Sequence, residues 1–153
     1  MAIKLLIADD HAYIRMALEG LFAGTDDITV VATCTDGDEV ASTAARTEPD
    51  VVLMDLDMPR MNGLDATREL LAAQPHVRVL VLTGACDAGQ AIEAEAVGAV
   101  GLQLKGDDPD DLAGYVRTVA AGGTAWCDPA AAHLKGNRAG RTDRLTRGYP
   151  VGG

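Results

Sequence analysis

The sequence predicts a doubly wound α/β domain built from five βα units, and three observations carry that prediction. Apolar runs of strand length recur at Ile3–Ala8, Ile28–Cys34, Val51–Met54, Val77–Thr83 and Ala99–Leu104. Between and after them lie segments with helical spacing and good helix formers, roughly Tyr13–Phe22, Asp38–Thr47, Leu64–Ala73, Asp87–Val97 and Pro109–Ala121. The runs LLIA, VVLM and VLVL are nearly unbroken by polar residues, as expected of strands covered by helices on both faces of a parallel sheet.

Local punctuation supports each element in turn. Strand 1 stops at Asp9-Asp10, and Thr35, Asp36 and Gly37 open helix 2 after strand 2. Pro49 precedes strand 3, and Asn62-Gly63 precedes helix 3. Asp108-Pro109 opens helix 5, with proline suited to a first turn, and the acidic run Asp107–Asp111 is favoured there by the helix dipole. After Gly122-Gly123 the pattern dissolves. Asp128 is placed to cap one short helix against which Trp126 packs, and the Gly- and Arg-rich stretch GNRAGRTDRLTRGYPVGG reads as a disordered tail. The division is a domain over 1–123, a short helix and linker over 124–136, and a tail over 137–153.

The chain of 153 residues, 48% hydrophobic, suffices for one domain with a proper core. Aromatic residues are only 3%, so that core must be built from Ala, Val, Leu and Ile. A net charge of −10 argues against this chain binding a phosphate backbone by itself. Cys34, Cys86 and Cys127 are odd in number, far apart and without metal-ligand spacing; they read as free, mostly buried thiols, with neither a disulfide nor zinc expected. No signal peptide or membrane span is visible, which points to the cytoplasm.

Ligands of an open parallel sheet bind beyond the carboxyl ends of its strands. Strand 1 ends in Asp9-Asp10, strand 3 in Asp55, strand 4 in Thr83 and strand 5 in Lys105. Crowded carboxylates repel unless a cation sits among them, and an oxygen-only ligand set with room for water suits Mg²⁺. A metal alone needs neither Lys105 nor Thr83. Both make sense if a transferred phosphoryl group brings three charged oxygens to be met by metal, amine and hydroxyl, with Asp55 as nucleophile. Singly, each residue has a plain alternative. Asp9-Asp10 can cap the first helix, Asp55 can be a turn residue, Lys105 a solvated lysine, Thr83 a strand former and Leu102 core. Coincidence at four strand ends favours the site. His11 is expected at the start of helix 1, near the pocket rim.

The phrases IADDH, LMDLDMPRMNGL, VLVLTG and GLQLK resemble the receiver-domain motifs of two-component response regulators, over roughly residues 2–122. More narrowly, ADDHAYIRMALEGLF and AAGGTAW resemble the NarL/FixJ group, which carries a LuxR-type helix-turn-helix output. The resemblance implies a flavodoxin-like (βα)5 fold with strand order 2-1-3-4-5. It makes Asp55 the phosphoacceptor, Asp9 and Asp10 the metal-binding acids, and the backbone carbonyl of Asp57 a further ligand of Mg²⁺. Thr83 then matches the switch hydroxyl, Lys105 the phosphate-binding amine, and Pro59 and Gly63 the loop that shapes the pocket. The implied donor is a sensor histidine kinase, and the implied consequence is a phosphorylation-dependent homodimer controlling transcription; no enzymatic activity is implied beyond self-phosphotransfer and autodephosphorylation. One position departs from the pattern, because Leu102 stands where the family usually has Tyr or Phe.

Leu145-Thr146-Arg147 resembles the opening of a LuxR-type DNA-binding domain, but the chain then ends in GYPVGG and no recognition helix fits. Two readings follow: the receiving part of a transcription regulator whose DNA-binding output domain is absent from this chain, or a stand-alone receiver acting by protein contact or as a phosphate sink. A phosphatase using Asp57 as general acid is a distant third.

Overall fold

The computed structural model describes residues 2–106 and 108–128. In chain order the elements are β1 (Ile3–Ala8), α1 (Ala12–Ala23), β2 (Ile28–Cys34), a 3₁₀ turn (Gly37–Glu39) leading into α2 (Val40–Thr47), β3 (Val51–Asp55), α3 (Gly63–Ala73), β4 (Arg78–Thr83), α4 (Ala88–Ala96), β5 (Gly101–Leu104), α5 (Pro109–Ala120) and β6 (Ala125–Trp126). All pairings are parallel, in the order β2-β1-β3-β4-β5-β6. The predicted order 2-1-3-4-5 is therefore observed, with one short strand added at the β5 edge.

Strand alternation divides the core in two. Leu6, Ala8, Val52, Met54, Val79, Val81 and Leu102 face Val40 and Ala44 of α2, Ala66 and Leu70 of α3 and Ala94 of α4. Their neighbours Leu5, Ile7, Val51, Leu53, Leu80 and Leu82 face Phe22 of α1 and Leu112, Ala113, Val116 and Val119 of α5. Both faces of the sheet are thus buried, which is why the strand sequences show unbroken apolar runs rather than alternation. Helix entries follow the sequence signals. Asn62 accepts the N–H of Asp65 to cap α3, Asp87 that of Gly89 to cap α4, and Asp108 that of Asp110 to cap α5.

Two expectations need correction. Residues 124–136 were expected as helix and linker, but Ala125 and Trp126 pair with Gly101 and Leu102 as β6. A Cβ at Gly101 would collide with the Ala125 carbonyl, so the glycine lets the added strand approach. Trp126 accordingly packs against the core from a strand, while the predicted helix after Asp128 and the predicted tail lie outside the described residues. The second correction concerns the thiols. Cys34 is a buried free thiol as expected, but Cys86 and Cys127 form a disulfide, their Cα atoms 6.2 Å apart across a sequence separation of 41. Distance along the chain misled here because a parallel sheet returns every strand to the same edge: Cys86 follows β4, Cys127 follows β6, and only β5 lies between.

Candidate functional site

Register converts the strand ends into a site. Ala8 pairs with Met54, Asp55 with Leu82 and Thr83 with Leu104, so Asp9, Asp55, Thr83 and Lys105 emerge along one carboxyl edge. Gly63 opens α3 directly against that edge. A side chain there would run into the backbone carbonyl of Asp55, so glycine sets how closely the helix packs behind the acid.

Asp9, Asp10, His11 and Asp55 each bring one ligand atom into a group whose members all lie within 4.8 Å of one another. Lys105 Nζ bridges the two buried acids, 3.1 Å from Asp9 Oδ2 and 3.0 Å from Asp55 Oδ1. His11 Nδ1 lies 3.2 Å from Asp9 Oδ1 and 3.1 Å from Asp10 Oδ1. Asp9 also accepts the backbone N–H of His11 at 2.8 Å, and the Arg15 guanidinium donates to the Asp9 carbonyl at 2.7 Å. Asp55 Oδ2 is buried and, among the described residues, takes no hydrogen bond. A buried carboxylate oxygen left in this way is costly unless something electropositive completes it.

The electrostatics agree. Burial pushes the Asp55 carboxyl up to about 6 from 3.8, reinforced by Asp9 and opposed by the hydrogen bond and charge of Lys105. Burial works against the Lys105 charge, but its contacts with Asp55 and Asp9 outweigh that and raise its pKa. Asp9 Oδ2, Asp10 Oδ1 and Asp55 Oδ2 are all buried without a hydrogen bond among the described residues. An oxygen-rich, acid-heavy cluster of this kind fits a small divalent cation such as Mg²⁺, which Asp9, Asp10 and Asp55 would hold.

Of the other predicted residues, Thr83 is buried, and its hydroxyl donates to Oε1 of Gln90 in α4 at 3.0 Å while accepting the N–H of Ala85 at 3.4 Å. It is thus at the edge but bonded away from the acids. Asp57 is exposed, and its N–H approaches Asp55 Oδ1 at 3.4 Å. Leu102 is fully buried in the core. Pro59 is exposed in the loop between β3 and α3.

Two contributors escaped the sequence reading. Asp36, predicted only to open helix 2, is buried and accepts backbone N–H groups from Gly37, Arg60 and Met61, at 2.8, 3.0 and 2.9 Å. Burial works to raise its carboxyl, but those donors hold it below the usual range. It thereby pins the loop that follows Asp55. Gln90 is the second; nothing in a glutamine on an ordinary helix face signals a partner on the preceding strand.

The profile of the response regulator receiver domain matches residues 5–117. The chain is 47% identical over 104 residues to a protein-glutamate methylesterase/protein-glutamine glutaminase of Geobacter metallireducens, covering 64% of this chain and 30% of that protein. It is 37% identical over 131 residues to the transcriptional regulatory protein DegU of Brevibacillus brevis, covering 86% and 55%. It therefore spans about a third and about half of the lengths of these two relatives. The crystal structure of a LuxR-family two-component response regulator from Aurantimonas sp. SI85-9A1 matches with a TM-score of 0.81 and 28% identity, covering 90% of this chain and 99% of that one.

Proposed function

Because the chain belongs to the response regulator receiver domain family of two-component systems, we propose that Asp55 is the residue that accepts the phosphoryl group, from the phosphohistidine of a sensor histidine kinase. The observation that carries this is the buried pair of acids bridged by Lys105, with one oxygen of Asp55 left without a donor. That oxygen is the natural nucleophile. It forms a new P–O bond as the bond from phosphorus to the donor's leaving atom breaks, and the electron pair departs with the donor. Lys105 then meets one phosphoryl oxygen and Thr83 another. Asp9, Asp10, Asp55 and the Asp57 carbonyl would hold Mg²⁺, which supplies charge neutralisation for the third oxygen and for the crowded acids. Water releases inorganic phosphate and restores the carboxylate, so the chemistry is self-modification and its reversal.

Output follows from packing. Moving the Thr83 hydroxyl toward a phosphoryl group means giving up Gln90, so the change at Asp55 reaches α4. The similarity to DegU over 86% of this chain favours a transcriptional readout, through dimerisation and a LuxR-type DNA-binding domain. A stand-alone receiver acting by protein contact is the alternative.

The test is intact mass after incubation with Mg²⁺ and acetyl phosphate or phosphoramidate, for the wild type and Asp55→Asn. One added phosphoryl mass that requires Mg²⁺ and Asp55 is expected. A gain that persists in the variant, or no gain with either donor, would overturn the assignment.

A further inference from the structure

We propose that Cys86 and Cys127 are a reversible thiol-modification site, oxidised by a low-molecular-weight disulfide, and that their bond restrains the movement by which Asp55 chemistry reaches α4. The coupling half of this inference rests on the phosphoacceptor reading above; the existence of the redox site does not.

Position is the first argument. Cys86 lies in the short loop between β4 and α4, three residues after Thr83 and four before Gln90, and Cys127 directly follows β6. Cys127 is itself anchored, since its N–H donates to the Leu102 carbonyl at 2.8 Å and its side chain packs against the core beside Trp126. The disulfide therefore clamps the loop to the far side of β5. The Thr83–Gln90 hydrogen bond closes the same loop from within. When Thr83 exchanges Gln90 for a phosphoryl oxygen, residues 84–90 must readjust, and a covalent tether in the middle of that segment opposes the readjustment.

Accessibility is the second argument. Both cysteines are partly exposed, and Gly84, Ala85 and Asp87 around Cys86 are exposed, so a small thiol or disulfide can reach the bond. Cys34 differs in being buried in the core. Accessible disulfides are the ones that exchange, and in thiol-rich compartments those that form are typically transient or sensing rather than structural.

The chemistry balances without a cofactor. One cysteine thiolate attacks a small disulfide and expels one small thiolate. The second cysteine thiolate attacks the protein sulfur of that mixed disulfide and expels the other. The protein loses two electrons and two protons, the small disulfide gains both, and two small thiols result.

The experiment compares the whole chain after treatment with oxidised glutathione and after reduction with dithiothreitol. Alkylation with iodoacetamide under denaturing conditions should add one label to the oxidised protein, at Cys34, and three to the reduced protein. Trp126 beside Cys127 should brighten on reduction, because a disulfide quenches a neighbouring indole. Beryllofluoride with Mg²⁺, read by intact native mass, should bind the reduced form about 5-fold or more tightly than the oxidised form, the lower end of ordinary coupling between two sites. Cys86→Ser and Cys127→Ser should each remove the difference and match the reduced wild type. Three labels after oxidant treatment would overturn the redox site. One label together with equal beryllofluoride affinity would overturn the restraint. Loss of beryllofluoride binding in both forms would overturn the phosphoacceptor reading and the restraint with it, while the label count would still decide the disulfide.

Discussion

The two halves of the sheet's carboxyl edge are held together by different physics. Around β1 and β3 the contacts are short and gather on carboxylates: Lys105 on the buried Asp9 and Asp55, and the exposed His11 ring on Asp9 and Asp10. Around β4 and β6 they include the neutral hydrogen bond from Thr83 to Gln90 and a covalent bond between partly exposed cysteines. The first region concentrates charge where a phosphoryl group and a cation would sit. The second leaves a hydroxyl on a bond that is cheap to exchange. A switch needs both kinds of region, because chemistry requires a fixed arrangement while signalling requires a movable one.

The charged half should break hardest when its single amine is removed. Lys105→Ala leaves Asp9 and Asp55 buried together without a cation, and the loss should be about 2–4 kcal/mol in Mg²⁺-free buffer at pH 8. This is below the usual cost of breaking a buried pair because Asp55 can relieve part of it by protonation. Urea unfolding checks it, and addition of Mg²⁺ should recover part of the loss. An unchanged midpoint would mean the acids are not coupled through Lys105.

A smaller effect with the opposite sign is expected for Asp55→Asn. The folded-state pKa of Asp55 is raised from 3.8 to about 6, so ionising it costs stability. That cost is absent below about pH 4, grows through the interval to about 6, and is fully present above it. The asparagine variant should therefore be more stable than the wild type by on the order of 1–3 kcal/mol at pH 8 without Mg²⁺, the difference vanishing near pH 4. Thermal unfolding across that range decides it. A variant less stable than the wild type at pH 8 would mean that Lys105 outweighs burial.

The same contrast explains what could be read from the sequence. The strand order comes from the family resemblance. Apolar runs and the residues that end them specify the parallel sheet and the four acidic and basic positions at its edge, because register fixes where strand ends lie. Asp9, Asp10, Asp55 and Lys105 are brought together as predicted for that reason. The Cys86–Cys127 bond and β6 were hidden because they depend on which strand edges become neighbours after folding, and a two-residue strand has no periodicity to detect. Asp36 carried a visible local role as a helix opener, which masked its bonds to Arg60 and Met61, 24 and 25 residues away. Gln90 carried no signal at all.

Gln90→Ala gives the smallest and most discriminating effect on the movable half. Removing one neutral, partly buried hydrogen bond costs about 0.5–1.5 kcal/mol, so the variant should unfold only slightly earlier than the wild type. If the Thr83–Gln90 bond holds the hydroxyl back, the free energy lost from the resting arrangement reappears as a gain for the phosphoryl-bound one, because Thr83 then gives up nothing to turn inward. Beryllofluoride affinity in Mg²⁺ should rise about 2- to 13-fold in the reduced protein, which is that energy range converted to an equilibrium. Weaker binding would show that Gln90 serves the bound arrangement instead, and unchanged binding that Thr83 moves independently of α4. Measuring the variant in the oxidised protein separates the two restraints. A rise that appears only after reduction would mean the disulfide alone holds the loop in place, whereas an equal rise in both forms would mean the hydrogen bond and the disulfide act independently.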